Sequence, residues 1–289
     1  MTRRLRVTAW FAVAALVPAT LAACASTPPA TGPSAAGPSL HLVSNGGHRL
    51  AFHVTPGHQP VIVLDAGGGM DSSYWKDLVP VLAERTGSEI VTYDRAGLGA
   101  SDEVPGPWKV DDAVADLAAG LTALGATHDV VLVSHSEAGE IATYVVRDHP
   151  HWVRDAVLVD ASLPDFYTDS EIARIVAANK DQIAALASQP PTRQNQQLLS
   201  IAQEYAPMHH AYHQISWPRD IPAIVIASGK TPFEDSPQDA RLWRDAQASF
   251  AHAAPNRRLV VAAGTSHDIP LDRPDVVVTA VRDAIGTSG

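Results

Sequence analysis

Residues Val131-Leu132-Val133-Ser134-His135-Ser136-Glu137-Ala138-Gly139 combine a strand, a tight turn and the start of a helix around one serine, Ser136. The apolar, β-branched beginning predicts a buried strand, and the spacing over 141–149 predicts a helix. Small residues stand two positions before and after Ser136, so the backbone can turn sharply there without clashes. Ser136 is therefore expected at the carboxyl end of a strand and at a helix N-terminus, which favours developing negative charge. We regard it as a candidate nucleophile.

The chain on both sides of this segment alternates short apolar runs with longer stretches of helical spacing. This alternation is typical of an α/β fold, with a mainly parallel sheet flanked by helices. The first two runs, joined through Asn45-Gly46-Gly47, are expected to form an antiparallel pair. The predicted strands are 40–43, 50–54, 61–64, 90–93, 130–133, 156–159, 224–227 and 259–262, and the predicted helices are 110–124, 141–149 and 274–285.

One long segment between the predicted strands at 156–159 and 224–227 shows no strand pattern of its own. Its apolar residues recur at roughly helical spacing in two stretches, one from Ile172 to Leu186 and one from Leu198 to Tyr205. We interpret residues 163–219 as a helical cap inserted over the sheet after the sixth strand.

A second candidate for chemistry, His267, follows the last predicted strand in Gly264-Thr265-Ser266-His267-Asp268. A serine hydroxyl is a poor nucleophile at neutral pH and needs an adjacent base. Histidine can be that base because its pKa lies near the working range. The chain contains 13 histidines, and His267 is distinguished from the others by its place after the last strand.

Four segments taken together resemble the α/β-hydrolase superfamily over the chain from about Pro60 onward. The serine turn resembles the nucleophile elbow G-x-S-x-G, with Ser134 and Ala138 in the glycine positions. The resemblance implies a serine hydrolase that cleaves a small-molecule ester or related acyl bond, with the catalytic order Ser, acid, His. It implies neither a cofactor nor a metal. The four segments are Asp65-Ala66-Gly67-Gly68-Gly69, the run 93–102 (similar to Y-D-x-x-G-x-G-x-S), the Ser136 turn and the His267 segment.

The resemblance also assigns an oxyanion hole to backbone N–H groups. Gly67 or Gly68 would donate one N–H and Glu137 the other, through its backbone only. Family members often begin the glycine turn with His-Gly, and this chain has Asp65-Ala66 instead. The glycine turn thus matches the family pattern in position but not at its first two residues.

The acid of the triad has two candidate locations. Family members most often place it a few residues beyond the position of Gly229, where this chain has Thr231, with Glu234 and Asp235 slightly later. Some members place it at the end of the preceding strand, and Asp160 fits that location. The prediction is Asp160, with Glu234 or Asp235 as alternatives.

The N-terminus resembles a bacterial lipoprotein signal. A basic start is followed by an apolar run and by Leu21-Ala22-Ala23-Cys24, similar to a lipobox. We expect a signal peptide over 1–23, lipidation of Cys24, a flexible tether over 24–38 and the hydrolase domain over 39–289. The protein is accordingly predicted to be exported and held at the cell membrane by a fatty acyl anchor. The pair Arg3-Arg4 leaves twin-arginine export open.

Other functions were weighed against this one. A formal net charge of −10 disfavours nucleic acid as a partner. His209, His210 and His213 have ligand-like spacing, but no Glu completes H-E-x-x-H, so cap histidines are preferred to a metal site.

The main rival is a hydrolase-like binding protein or receptor with little turnover. Amidase, peptidase and perhydrolase chemistry would use the same residues, and neither substrate nor oligomeric state follows from the sequence.

Overall fold

A computed structural model describes residues 38–104 and 106–286. The predicted signal peptide (1–23), Cys24 and all of the predicted tether except its last residue lie outside these ranges. Among the helices in the described ranges, none combines the length and the apolar character needed to cross a membrane.

The described part of the chain is built on an eight-stranded sheet with the order β1-β2-β4-β3-β5-β6-β7-β8. β1 pairs with β2 and β2 with β4 in antiparallel fashion, while the neighbours from β4 to β8 are parallel. The predicted α/β class and the antiparallel opening pair are therefore confirmed. The strands are β1 (Ser39–Asn45), β2 (His48–Thr55), β3 (His58–Asp65), β4 (Ser88–Asp94), β5 (Val130–His135), β6 (Val153–Val159), β7 (Ala223–Ser228) and β8 (Arg257–Ala262).

Helices cover both faces of the sheet. They are α1 (Leu78–Thr86), α2 (Val110–Leu124), α3 (Ala138–Asp148), α4 (Asp169–Ala187), α5 (Arg193–His213), α6 (Pro237–His252), α7 (Ile269–Asp272) and α8 (Pro274–Gly286). The sequence analysis identified α2, α3 and α8 and did not assign α1 or α6. α6 has a local start signal, because the Ser236 hydroxyl accepts from the Asp239 N–H and Pro237 begins the helix.

Two apolar layers hold these helices to the sheet. On one face, Phe52, Leu132 and Leu158 pack with residues of α2, α3 and α6; on the other, Val133 and Val157 pack with α1 and α8. The central parallel strands are buried on both sides, which is why their sequences are continuous apolar runs rather than alternating ones. Each fully buried Leu or Val contributes about 1.5–3 kcal/mol relative to exposure.

The cap prediction is confirmed in its place after the sixth strand. α4 and α5 both lie between β6 and β7, and they pack against each other. Thr168 caps α4 by accepting from the Glu171 N–H. The cap is attached to the rest of the fold through buried side chains, among them Ile172, Tyr205 and Tyr212.

The strand order places one loop next to the serine turn. β3 lies between β4 and β5, so the chain leaves β3 at the point where the sheet order reverses, the usual location of ligand sites in such sheets. Asp65 at the end of β3 is in register with Ser134 near the end of β5. The glycine turn and the serine turn therefore start side by side.

Candidate active site

Ser136 lies on a strained turn between β5 and α3. Its φ of 55° is in the left-handed region, which costs a non-glycine residue on the order of 1–3 kcal/mol. The Ser136 carbonyl accepts from the N–H groups of Gly139 (2.9 Å) and Ser162 (2.8 Å), so the surrounding backbone holds this conformation. A Cβ at Gly139 would come within 2.5 Å of the Ser162 carbonyl, so only glycine lets α3 begin this close to the chain leaving β6.

The structure brings Ser136, His267 and Asp160 into one hydrogen-bonded chain. His267 Nε2 lies 2.8 Å from Ser136 Oγ, and His267 Nδ1 lies 2.7 Å from Asp160 Oδ2. Because a carboxylate only accepts, Nδ1 carries the hydrogen and Nε2 is free to accept from the hydroxyl. The His267 side chain is 19% exposed and Asp160 is fully buried. A hydroxyl, an imidazole and a buried carboxylate are thus hydrogen-bonded in the order found in a Ser-His-Asp triad.

Asp160 is kept ionised by the donors around it. Burial alone raises the pKa of a carboxyl, but hydrogen bonds from His267, Ser228 and Trp243 hold the pKa of Asp160 below its ordinary value. Trp243 Nε1 and the Ser228 N–H donate to Oδ1 at 3.0 and 3.1 Å, and the Ser228 hydroxyl donates to Oδ2 at 2.7 Å. A negative charge at this place would stabilise an imidazolium at His267, as the acid of a Ser-His-Asp triad does.

The alternative acids occupy a different environment. Glu234 and Asp235 are both solvent-exposed in the segment after β7. Thr231, at the usual position of the acid, is buried, and its N–H donates to Ser228 Oγ at 2.8 Å. The carboxylate that faces His267 Nδ1 is that of Asp160.

Backbone strain is concentrated near these residues. Asp160, like Ser136, has a left-handed φ, of 43°. Such strain in a non-glycine residue persists only where the surroundings enforce it, and it is common at functional sites. In the described ranges, the non-glycine residues with positive φ are Asp129, Ser136, Asp160 and Thr231.

The glycine turn lies against the elbow. A Cβ at Gly67 would be 3.0 Å from His135 Nδ1 and 3.2 Å from Ser136 Cβ, and one at Gly68 would be 2.7 Å from Glu137 Oε2. The three residues proposed to form an oxyanion hole, Gly67, Gly68 and Glu137, are thus neighbours in space. A side chain at Gly67 would crowd His135 and Ser136, and one at Gly68 would displace the end of the Glu137 side chain.

His135 is a buried residue beside the hydrogen-bonded chain of Ser136, His267 and Asp160. The sequence analysis did not single it out. Its Nε2–H donates to the His267 carbonyl (3.1 Å), and its ring lies between those of Tyr74 and His267, with centroids at 5.0 and 4.7 Å. Burial, reinforced by the neighbouring His267, lowers the pKa of His135 to about 3. His135 is therefore neutral, and its hydrogen bond to the His267 carbonyl holds the backbone of the candidate base in place.

Trp243 and Ser228 were also missed, for different reasons. Ser228 ends β7, which lies next to β6 in the sheet. Its contact with Asp160 could therefore have been predicted only from the strand order. Trp243 reaches Asp160 from the buried face of α6, and nothing in its local sequence distinguishes it from a packing tryptophan. Long-range contacts of this kind have no local signature.

The three cap histidines lie on one helix but contact different partners. His209 is buried, with Nδ1 donating to the Tyr205 carbonyl (2.7 Å) and Nε2 3.1 Å from Glu140 Oε1. His210 Nδ1 lies 2.9 Å from Asp169, and His213 Nδ1 lies 2.8 Å from the Pro164 carbonyl. Within residues 38–104 and 106–286, no group of three or more His, Cys, Asp or Glu side chains is arranged to hold a metal ion.

The fold and this arrangement of residues identify the class of protein. A family model described as the alpha/beta hydrolase family matches residues 62–280, which is most of the chain. The chain belongs to the alpha/beta hydrolase family.

Curated and solved relatives agree with this assignment. A putative carbamate hydrolase RutD from Caulobacter segnis is 34% identical over 108 residues, which cover 36% of this chain and 39% of that protein. The match thus spans about two fifths of the length of that relative. An esterase from Exiguobacterium antarcticum is 17% identical with a TM-score of 0.60, covering 85% of this chain and 99% of that one. A bromoperoxidase from Bacillus anthracis is 19% identical, also with a TM-score of 0.60, covering 86% and 100%. At these identities the two solved structures show the shared fold.

Proposed function

We propose that this protein is an exported, lipid-anchored serine hydrolase that cleaves an ester or related acyl bond of a small molecule. The observation that carries the proposal is the hydrogen-bonded chain from Ser136 Oγ through His267 to the buried Asp160. Membership of the alpha/beta hydrolase family supports it. So does the name of one relative, a putative carbamate hydrolase.

The geometry supports a two-stage acyl transfer. His267 Nε2 takes the proton of Ser136 as its oxygen attacks the carbonyl carbon, and Asp160 stabilises the resulting imidazolium. The oxyanion is bound by the backbone N–H groups of Glu137 and of Gly67 or Gly68. The imidazolium then protonates the leaving alcohol, and an acyl-serine remains. His267 next deprotonates a water molecule, which attacks the acyl carbon. As the C–O bond to Ser136 breaks, the imidazolium returns its proton to the serine oxygen, and the acid is released.

Labelling with a fluorophosphonate tests this function directly. The folded protein is expected to gain one phosphonyl group, and peptide mass spectrometry is expected to find it on Ser136. Denatured protein serves as the control. Its Ser136 is no longer hydrogen-bonded to His267, and the hydroxyl is activated only by that contact. Folded protein that labels no faster than denatured protein would contradict the proposal and favour the rival, a hydrolase-like binding protein with little turnover.

Anchoring at Cys24 is the second part of the proposal. It rests on the basic start, the apolar run and Leu21-Ala22-Ala23-Cys24. The segment 25–38 that follows is rich in Ser, Thr, Pro and Gly, a composition that suits a tether between a membrane surface and a catalytic domain.

Replacement of Cys24 by alanine is expected to move the protein out of the membrane fraction, since Cys24 is the only cysteine in the sequence and no other thiol could carry the lipid. The measurement is fractionation of cells expressing each variant, followed by extraction of the membranes with salt and then with detergent. Ser26→Ala, two residues away, is the matched control and should remain in the detergent extract. A Cys24→Ala protein that also stays there would refute lipidation.

A further inference from the structure

Arg95 is a buried arginine directly beneath the glycine turn. Its side chain is only 6% exposed. Nη2 donates to the carbonyl of Ala66 at 2.8 Å and also to the carbonyl of Gly67. Arg95 belongs to the segment 93–102, which by resemblance only shapes the scaffold, so these contacts give it a role that the sequence did not indicate.

The two carbonyl contacts fix the orientation of both candidate oxyanion donors. In a planar trans peptide, the C=O of one residue and the N–H of the next point in opposite directions. The Ala66 carbonyl is held toward Arg95, so the Gly67 N–H points away from the guanidinium. The same holds for the Gly67 carbonyl and the Gly68 N–H. A further bond from the Met70 N–H to the Gly67 carbonyl (3.1 Å) closes the turn in this conformation.

Arg95 also links the two segments that supply these donors. Nη1 lies 3.4 Å from Glu137 Oε1, just after the nucleophile, and 3.9 Å from Asp65 Oδ1, just before the glycine turn. Tyr93 donates a further bond to Asp65 at 3.0 Å. Burial raises the pKa of Asp65 to about 6 and that of Glu137 above its ordinary value, and the charge of Arg95 opposes both shifts.

Charge balance gives a second reason for an arginine here. The Glu137 carboxylate lies beside Gly68, where an unbalanced negative charge would oppose an oxyanion bound by the neighbouring N–H groups. A guanidinium has several donors in a planar fork and can face two carbonyls and two carboxylates together, whereas a lysine ammonium is a single point charge.

We propose that Arg95 is the positioning residue of the oxyanion hole. It holds the Ala66 and Gly67 carbonyls so that the N–H group of Gly67 or Gly68 faces the reacting carbonyl, and its positive charge offsets that of the Glu137 carboxylate. This inference rests on the proposed serine-hydrolase function. Arg95 acts through the turn and does not itself touch substrate. Its contribution is expected mainly in the tetrahedral intermediate and the transition states on either side of it, because the bound substrate has no oxyanion.

The test compares Arg95→Lys and Arg95→Met with the wild type on a p-nitrophenyl ester. Loss of one aligned oxyanion donor typically costs about 10²–10³-fold in rate. We expect kcat to fall about 10–100-fold for Arg95→Lys and about 10²–10³-fold for Arg95→Met, with KM within about threefold. The inhibition constant of a trifluoromethyl ketone, which forms an oxyanion on the serine, should rise in parallel. Arg154→Met is the control, because Arg154 pairs with Asp129 at the opposite end of the sheet (2.7 Å).

Two outcomes would overturn the inference: a kcat for Arg95→Lys within threefold of wild type, or a fall in kcat without weaker ketone binding. Arg95→Met leaves the buried carboxylate of Asp65 and the partly buried one of Glu137 without their cation, so its folding is checked by thermal unfolding. In the triple variant Asp65→Asn/Arg95→Met/Glu137→Gln both carboxylates are replaced by neutral amides. No unpaired charge remains, and the variant differs from the wild type mainly by the lost contacts to the Ala66 and Gly67 carbonyls. A wild-type kcat in this variant would equally overturn the inference.

The controls separate this inference from the proposed function. If wild-type protein neither hydrolyses the ester nor labels with a fluorophosphonate, the serine-hydrolase proposal fails. If the wild type does both and Arg95→Lys matches it, only the role of Arg95 is wrong.

Discussion

Replacing Ser136 with alanine is expected to lower kcat on a p-nitrophenyl ester by about 10⁵–10⁶-fold. In the proposed mechanism the Ser136 hydroxyl oxygen forms the covalent bond to the acyl group, and alanine has no atom that can take its place. A residual rate above that in water is expected, because the oxyanion donors remain in place. The measurement is steady-state hydrolysis, with loss of fluorophosphonate labelling as an independent readout.

The variant should fold as well as the wild type. Alanine retains the Cβ, so the strain at φ 55° is unchanged, and the backbone contacts of Ser136 do not involve its hydroxyl. Ser88→Ala, at a buried serine that begins β4 at the far end of the sheet, is the matched control and should retain wild-type activity. Retention of more than a few per cent of activity in a folded Ser136→Ala protein would contradict the assignment of the nucleophile.

Replacing Asp160 with asparagine is expected to lower kcat by about 10⁴-fold. Trp243 Nε1 and the Ser228 N–H, both donors, point at Oδ1 and therefore select the amide oxygen at that place. The amide nitrogen must then occupy the place of Oδ2 and donate to His267 Nδ1. The His267 imidazole is forced into the tautomer with its hydrogen on Nε2. Because Nε2 then already carries a hydrogen, it cannot accept the proton of Ser136.

The same experiment distinguishes the three candidate acids. Glu234→Gln and Asp235→Asn remove exposed carboxylates after β7, and each should retain activity within a few-fold of wild type. Steady-state kinetics on the same ester gives the comparison, and near-ultraviolet circular dichroism checks that each variant is folded. A large loss in Glu234→Gln or Asp235→Asn, with Asp160→Asn active, would reverse the assignment.

The parts of this molecule that were predictable depend on short-range patterns. The predicted helix 110–124 coincides with α2, because its apolar spacing and the following Gly125 define a helix and its end. Each predicted strand lies inside an observed one, and the central parallel strands were the plainest because strands buried on both faces are apolar throughout. By contrast, α1 and α6 were not assigned, although α6 carries a capping serine and an N-terminal proline.

The residues of the site can likewise be divided into those that were predictable from the sequence and those that were not. The serine turn was predictable because small residues, a strand before and a helix after occur within nine positions. Arg95, His135 and Trp243 were not, because their roles depend on which strand lies beside which. Arg95 looks like one residue of a turn motif until β4 is seen to lie next to β3, beneath the glycine turn.

The sequence alone was enough to predict the α/β fold, the inserted helical cap and the positions of Ser136 and His267. The fold, the cap and the turn at Ser136 follow from side-chain periodicity and turn chemistry, which act between residues close together in the chain. His267 was chosen by the order Ser, acid, His that the family resemblance implies. Only the tertiary structure showed which carboxylate faces His267, which groups hold that carboxylate and what lies under the glycine turn. Those relations join residues separated by many positions, such as Asp160 and His267, and they exist only once parallel pairing of β6, β7 and β8 has brought the strand ends together.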